Sequence, residues 1–188
     1  MTSQNQDTLL LGHTLSLAKN PFETGPLDSF VSDSQGGILV HDGKISATGT
    51  AEYLKSRFKQ TKIVDYGTKL ILPGFVDSHV HYPQTAIIAS WGKRLIDWLN
   101  DYTFPEEMKF HDLVYAKAIA ERYLDLAIGH GTTTFATYST THPQSVDAIF
   151  QAAATRGMSI VAGKTCMDRN APIGLMDTAQ SAYDDSKR

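Results

Sequence analysis

Two histidines separated by one residue, His79 and His81, are the side chains of this sequence best placed for chemistry. Side chains alternate between the faces of a β-strand, so both rings would project from the same face, about 6.6 Å apart along the backbone. Two imidazole nitrogens placed in this way can bind one metal ion. Val80, between them, would point to the opposite, apolar side. The spacing therefore predicts half of a metal site at the end of a strand.

The residues around this pair matter, because isolated His-x-His pairs are more often surface or core histidines. Pro73-Gly74 precedes a short apolar stretch that ends in the pair, and Asp77 lies two residues before His79. A carboxylate at that position can orient a metal-binding histidine or anchor the strand. The other five histidines are predicted to be solvated or capping residues: His13, His41, His111, His130 and His142.

A strand that ends in a metal site needs neighbouring strands, and the sequence from residue 69 onward alternates strands with helices. Apolar and β-branched runs at residues 70–80, 132–138 and 158–164 predict strands. Helical patterns lie between them, with Asp112 suited to cap a long helix and Pro143 suited to begin the next. Strands alternating with helices of this length indicate right-handed βαβ units and a parallel sheet.

The sequence before residue 67 predicts a different pattern of secondary structure, made of short strands and turns. Asp42-Gly43 between two apolar runs predicts a β-hairpin, because glycine accepts the positive φ that a tight turn requires. Residues 51–59 predict a short helix. The proline-containing stretch at residues 20–26 predicts a loop.

Composition excludes several classes of partner. The 188 residues include 17 basic and 20 acidic side chains, a net charge of −3, and no basic stripe that would bind nucleic acid. No apolar run approaches the ~20 residues of a membrane helix, and the first residues do not resemble a secretory signal. The single cysteine, Cys166, indicates a reducing compartment, so a cytoplasmic location is expected. It also excludes a zinc site of the cytidine deaminase type, which needs at least two cysteine ligands.

The run PGFVDSHVH at residues 73–81 resembles the first-strand motif of the amidohydrolase superfamily, metal-dependent hydrolases built on a (β/α)₈ barrel. The resemblance implies an α/β fold: an incomplete TIM-type barrel preceded by part of a small β-sandwich domain. Residues 1–68 would form the N-terminal part of the sandwich, and residues 69–188 the first three or so βα units of the barrel. Since a whole barrel needs about 250 residues, we expect this one to be truncated.

Several separate runs are similar to the guanine deaminases of that superfamily: HVHYPQT at 79–85, LIDWLN at 95–100, YTFP at 102–105, GTTT at 131–134, HPQSVD at 142–147 and GKTCMDRNAP at 163–172. The resemblance implies zinc-dependent hydrolysis of guanine to xanthine and ammonia in purine catabolism. It also implies one Zn²⁺ per subunit and a homodimer at full length.

The same resemblance assigns the site residues. His79 and His81 correspond to zinc ligands, and His81, Tyr82, Pro83 and Gln84 correspond to substrate-binding residues. Gln84 suits that task because a primary amide both donates and accepts hydrogen bonds, as a purine edge does. The general acid and base and the remaining ligands are expected beyond the chain end, so no catalytic residue is assigned. We therefore expect the isolated chain to be inactive.

Two other functions stay open at this point. Another aminohydrolase of the superfamily, for instance one that acts on a triazine, would share the metal motif, although residues 82–84 and 103–105 favour guanine. A non-catalytic truncated remnant would share the fold and have no activity. Comparing heterocycles as substrates tests the first alternative, and sequencing past codon 188 tests the second.

Overall fold

The chain forms two compact units, Met1–Pro73 and Gly74–Arg188. The structure, a computed structural model, describes residues 7–92 and 94–188. The domain limits of 1–68 and 69–188 stay a prediction. The strand Lys62–Ile71 crosses the boundary between residues 68 and 69, and it pairs within the first unit. Among the described residues, no helix has both the length and the apolar character needed to cross a membrane.

The first unit is built on a four-stranded mixed sheet in the order β3-β2-β1-β4. Its elements are β1 (Thr8–Leu17), α1 (Pro21–Thr24), α2 (Pro26–Ser29), β2 (Phe30–His41), β3 (Lys44–Thr50), α3 (Ala51–Arg57) and β4 (Lys62–Ile71). β1 and β4 run parallel, whereas the other two pairs are antiparallel. The core of this unit consists of four leucines from the sheet and α3: Leu9, Leu11, Leu39 and Leu54.

Local sequence determines the turns of this unit. The β2–β3 hairpin confirms the turn predicted from Asp42-Gly43, whose φ angles of 49° and 73° are both positive. The prediction of a loop at residues 20–26 was wrong in detail, because this stretch contains α1 and the first residue of α2. Each of these single turns begins with a proline, which has a helical φ and no N–H to lose at a first helical position.

The second unit is a parallel sheet in the order β5-β6-β7, as the alternation of strands and helices predicts. Its elements are β5 (Phe75–His81), a 3₁₀ turn (Tyr82–Ile87), α4 (Leu95–Trp98), α5 (Phe104–Met108), α6 (Leu113–Gly129), β6 (Thr132–Tyr138), α7 (Pro143–Arg156), β7 (Ser159–Gly163) and α8 (Ala179–Lys187). The carboxylate of Asp112 accepts a hydrogen bond from the Val114 N–H at 2.8 Å and so caps α6 as predicted. α7 ends at Arg156, and Gly157, whose φ is 67°, caps it.

In the part of the chain that the structure describes, helices pack on one face of this parallel sheet. α6 and α7 contribute buried side chains that pack against Phe135 of β6, which is 1% exposed. On the opposite face, Val161 is 72% exposed and Tyr138 is 50% exposed. The uncovered face, at the carboxyl ends of the strands, is where the paired histidines lie.

Candidate metal centre

A β-bulge lies at the end of β5, beside the two histidines. Asp77 pairs with Phe135 and Val80 pairs with Thr137, so β5 has one more residue than β6 between these two pairs. Val80 packs against the helix-covered core. With Val80 on that face, side-chain alternation places the rings of His79 and His81 together on the other face, with their centroids 5.3 Å apart.

Asp77 stabilises the bulge through the backbone. Its Oδ1 accepts a hydrogen bond from the N–H of His79 at 3.1 Å. The sequence left two interpretations of this carboxylate open, an orienter of an imidazole or an anchor of the strand. The observed contact is that of an anchor, since it fixes the main chain immediately before the first histidine.

Tyr138, at the end of β6, contacts both imidazole rings. Its ring stacks on His81 with centroids 5.0 Å apart and meets the edge of His79 at 5.4 Å. No motif in the sequence indicated a role for Tyr138. The carboxyl ends of neighbouring parallel strands lie at one edge of a sheet, and Tyr138 is the register partner of His81. The last residue of the predicted strand β6 could therefore have been expected to lie beside the histidines.

The electrostatics of the site favour a neutral His81. Burial, and then the neighbouring His79, lower the pKa of His81 below its usual value. A neutral imidazole is the form that binds a metal, because its unprotonated nitrogen donates the lone pair. Within the described part of the chain, no group of three or more His, Cys, Asp or Glu side chains could hold a metal. The two histidines thus fit zinc as two of its ligands and need others for a tight site.

A groove of about 450 Å³ opens beside the histidines. Gln84, on the 3₁₀ turn that follows β5, lines this groove together with both imidazoles and the half-buried Trp98. The turn is tied to the sheet, because the Tyr82 N–H donates a hydrogen bond to Thr137 Oγ1 at 3.2 Å. The structure therefore brings a primary amide and an aromatic wall next to the candidate metal ligands.

Tyr82 and Pro83, in contrast, lie in the interior. Tyr82 is fully buried against Phe110, and its hydroxyl donates a hydrogen bond to the carbonyl of Ser145. Pro83 is also fully buried. Neither side chain lines the groove, so contact of these two residues with a substrate stays a prediction. What the geometry does show is that they hold the turn that presents Gln84.

A second residue that the sequence analysis did not identify is Glu107, on α5. It is 4% exposed, and its Oε1 accepts a long hydrogen bond of 3.4 Å from Gln84 Nε2. Its other oxygen has no hydrogen-bond partner among the described residues. Burial raises the pKa of Glu107 to about 7, although the bond from Gln84 opposes the shift. The sequence did not separate Glu107 from its neighbour Glu106, because acidic residues near a helix start are usually solvated.

The raised pKa predicts a pH-dependent stability. The folded pKa of Glu107 lies above the ordinary carboxyl value of 4.5, so the folded chain binds more protons than the unfolded chain between about pH 4.5 and 7. Stability is therefore lost as the pH rises through that window. Urea unfolding at pH 5 and pH 8 should show a loss about 3 kcal/mol larger in the parent chain than in Glu107→Gln. Equal losses in the two proteins would contradict this prediction.

Comparison with known proteins identifies the family of the chain. Residues 70–188 match the amidohydrolase family. The chain belongs to this family. Over 169 residues it is 44% identical to the guanine deaminase of Escherichia coli, a match that covers 89% of this chain and 38% of that relative. It is also 34% identical over 177 residues, 90% of this chain and 36% of the relative, to 5-methylthioadenosine/S-adenosylhomocysteine deaminase 1 of Syntrophus aciditrophicus.

Solved structures of other amidohydrolases confirm the predicted fold class. The E. coli guanine deaminase structure matches with a TM-score of 0.86 and 39% identity over 96% of this chain and 42% of that chain. The guanine deaminase of C. acetobutylicum, solved with bound guanine, matches with a TM-score of 0.79 and 30% identity over 96% of this chain and 41% of that chain. This amidohydrolase is thus an α/β chain with an incomplete (β/α)₈ barrel after part of a β-sandwich, and it spans about two fifths of these relatives.

Proposed function

We propose that this chain provides the first metal-binding strand and the nucleobase-binding turn of a zinc-dependent guanine deaminase, which hydrolyses guanine to xanthine and ammonia. The main support is the groove that joins the facing rings of His79 and His81 to Gln84. The likeness to guanine deaminases, including 44% identity to that of E. coli, adds independent support.

His79 and His81 are the residues that would hold the zinc. When bound, zinc makes a water molecule nucleophilic at neutral pH. The protein's own contribution is to favour the neutral form of His81 and to orient both rings. The lowered pKa of His81 favours its neutral form, and the contacts with Tyr138 restrict the rotation of both rings.

Gln84 is the residue that would recognise the base. A guanine edge presents a carbonyl beside a ring N–H, and a carboxamide offers a matching N–H and carbonyl. Trp98 lines the same groove, and its indole would stack on the guanine ring or cover one side of it. Gln84 would thus orient the base and Trp98 would exclude water from one side of it.

We also propose a cytoplasmic location and a homodimeric assembly for the complete enzyme. The one cysteine, Cys166, is an exposed free thiol. An exposed thiol is stable in a reducing compartment, which supports the location. The assembly follows from the resemblance alone.

A hybrid enzyme tests the proposed function. In it, the segment of E. coli guanine deaminase that matches this chain is replaced by the chain, so the remaining strands are supplied by the relative. We expect zinc-dependent conversion of guanine to xanthine, followed by absorbance and ammonia release, and no turnover by the 188-residue chain alone. Preference for methylthioadenosine over guanine would favour the alternative that this chain is part of an aminohydrolase with another substrate. A folded, zinc-loaded hybrid that deaminates neither compound would favour a non-catalytic chain.

A further inference from the structure

We infer that Glu107 is a positioning residue that fixes the orientation of the Gln84 carboxamide and so decides which order of hydrogen-bonding groups the groove accepts. The inference rests on the proposed function for the identity of the substrate. The contact between Glu107 and Gln84 is a property of the chain itself.

When the Glu107 carboxyl is ionised, only one orientation of the Gln84 amide allows a hydrogen bond between them. A carboxylate only accepts hydrogen bonds, so the NH₂ end of Gln84 must face it, as the 3.4 Å separation between Nε2 and Oε1 shows. The amide then has one N–H and its carbonyl left. Among the described residues, no hydrogen bond uses that carbonyl, and Gln84 lines the groove. A fixed donor and acceptor pair is therefore available to a ligand.

A fixed pair discriminates between ring edges that a freely rotating amide would accept equally. Guanine presents a carbonyl next to a ring N–H. In 2,6-diaminopurine the same two positions carry an amine and an unprotonated nitrogen, so donor and acceptor are exchanged, while the 2-amine that leaves is unchanged. An amide that can flip matches both bases, and an amide held by Glu107 matches one.

Among the described residues, the Glu107 carboxyl has no hydrogen bond other than the one from Gln84. Its neighbour Glu106 is equally buried at 3% exposure, and its carboxylate accepts hydrogen bonds from Lys109, at 2.6 Å, and from the Tyr115 hydroxyl. The polar contact of Glu107 is to Gln84, and its second oxygen is buried without a partner in the part of the chain that is described. A buried carboxyl left so poorly satisfied costs stability, which is typical of functional sites.

The experiment compares Glu107→Gln with Glu106→Gln in the zinc-loaded hybrid enzyme at about pH 8.5, above the pKa of Glu107 of about 7, where the carboxyl is ionised. A glutamine at position 107 both donates and accepts, so Gln84 can take either orientation. We expect Glu107→Gln to raise KM for guanine and to lower the ratio of kcat/KM for guanine over 2,6-diaminopurine about tenfold, the factor that ~1.4 kcal/mol of binding free energy produces. The kcat for guanine should change little. Glu106→Gln should leave KM and the ratio unchanged.

A second measurement uses the 188-residue chain without turnover. In ¹⁵N-labelled chain, Glu107→Gln should shift the side-chain amide resonances of Gln84, whereas Glu106→Gln should not. Equal substrate ratios in the two variants of an active hybrid would overturn the inference and leave the proposed function intact. A hybrid with no guanine turnover would overturn the proposed function, and unshifted Gln84 resonances in Glu107→Gln would then overturn the inference as well.

Discussion

Alanine in place of His79 is expected to remove zinc-dependent guanine hydrolysis from the hybrid enzyme and to weaken zinc binding at least about 100-fold. Loss of a residue that only supports a zinc ligand already costs about 10–100-fold in metal affinity, so loss of a ligand itself should cost at least the upper figure. The facing ring of His81, 5.3 Å away, cannot compensate, because it already supplies its own ligand nitrogen and cannot fill the missing position. Competition with a zinc-binding dye measures the affinity directly.

The matched control for this variant is His130→Ala. His130 is exposed, and its ring contacts the carbonyl of Leu126 at the end of α6, away from the groove residues. The control should retain zinc and activity. Treatment with a chelator should inactivate both the parent hybrid and the control, and added zinc should restore both. Full zinc content and activity in His79→Ala would show that the paired histidines are not the metal ligands.

The sequence predicted those parts of the site that depend on local spacing. His79 and His81 share a short strand, so the alternation of side chains was enough to bring their rings together, even though a bulge alters the register beside them. Gln84 is three residues beyond the strand and reaches the same groove through a single 3₁₀ turn. In each case a few bonds of chain separate the residues, and local geometry decides their positions.

Other parts depend on contacts between distant segments and were not predictable in the same way. Glu107 lies 23 residues after Gln84, and only the packing of α5 on the 3₁₀ turn brings it to the amide. The burial of Tyr82 has the same origin, since its hydroxyl reaches a carbonyl 63 residues away in α7. The pattern of apolar residues predicted the strands and the long helices α6 and α7 of the second unit, but neither α5 nor the pairing of these polar side chains.

A second large effect is expected at the connection between β7 and α8. Lys164 follows β7 directly, and its side chain is 2% exposed. Its Nζ donates to Asp177 Oδ2 at 2.9 Å, and the Asp177 side chain is 9% exposed. This ion pair joins the two ends of the segment between Gly163 and α8, whose backbone is also closed by a bond of 2.7 Å from Asp177 N–H to the Met167 carbonyl. Both charges are therefore out of water and satisfied mainly by each other.

Removal of one partner should destabilise this fold far more than removal of both. Lys164→Met leaves the carboxylate of Asp177 buried without its counter-charge, and such changes typically cost about 3–5 kcal/mol in the free energy of unfolding. The double variant Lys164→Met/Asp177→Leu leaves no buried charge, and well-packed apolar replacements of buried pairs are often neutral. Urea denaturation of the single and double variants measures the coupling. A double variant no more stable than Lys164→Met would show that the packing of the segment, rather than the pairing of charges, holds it in place.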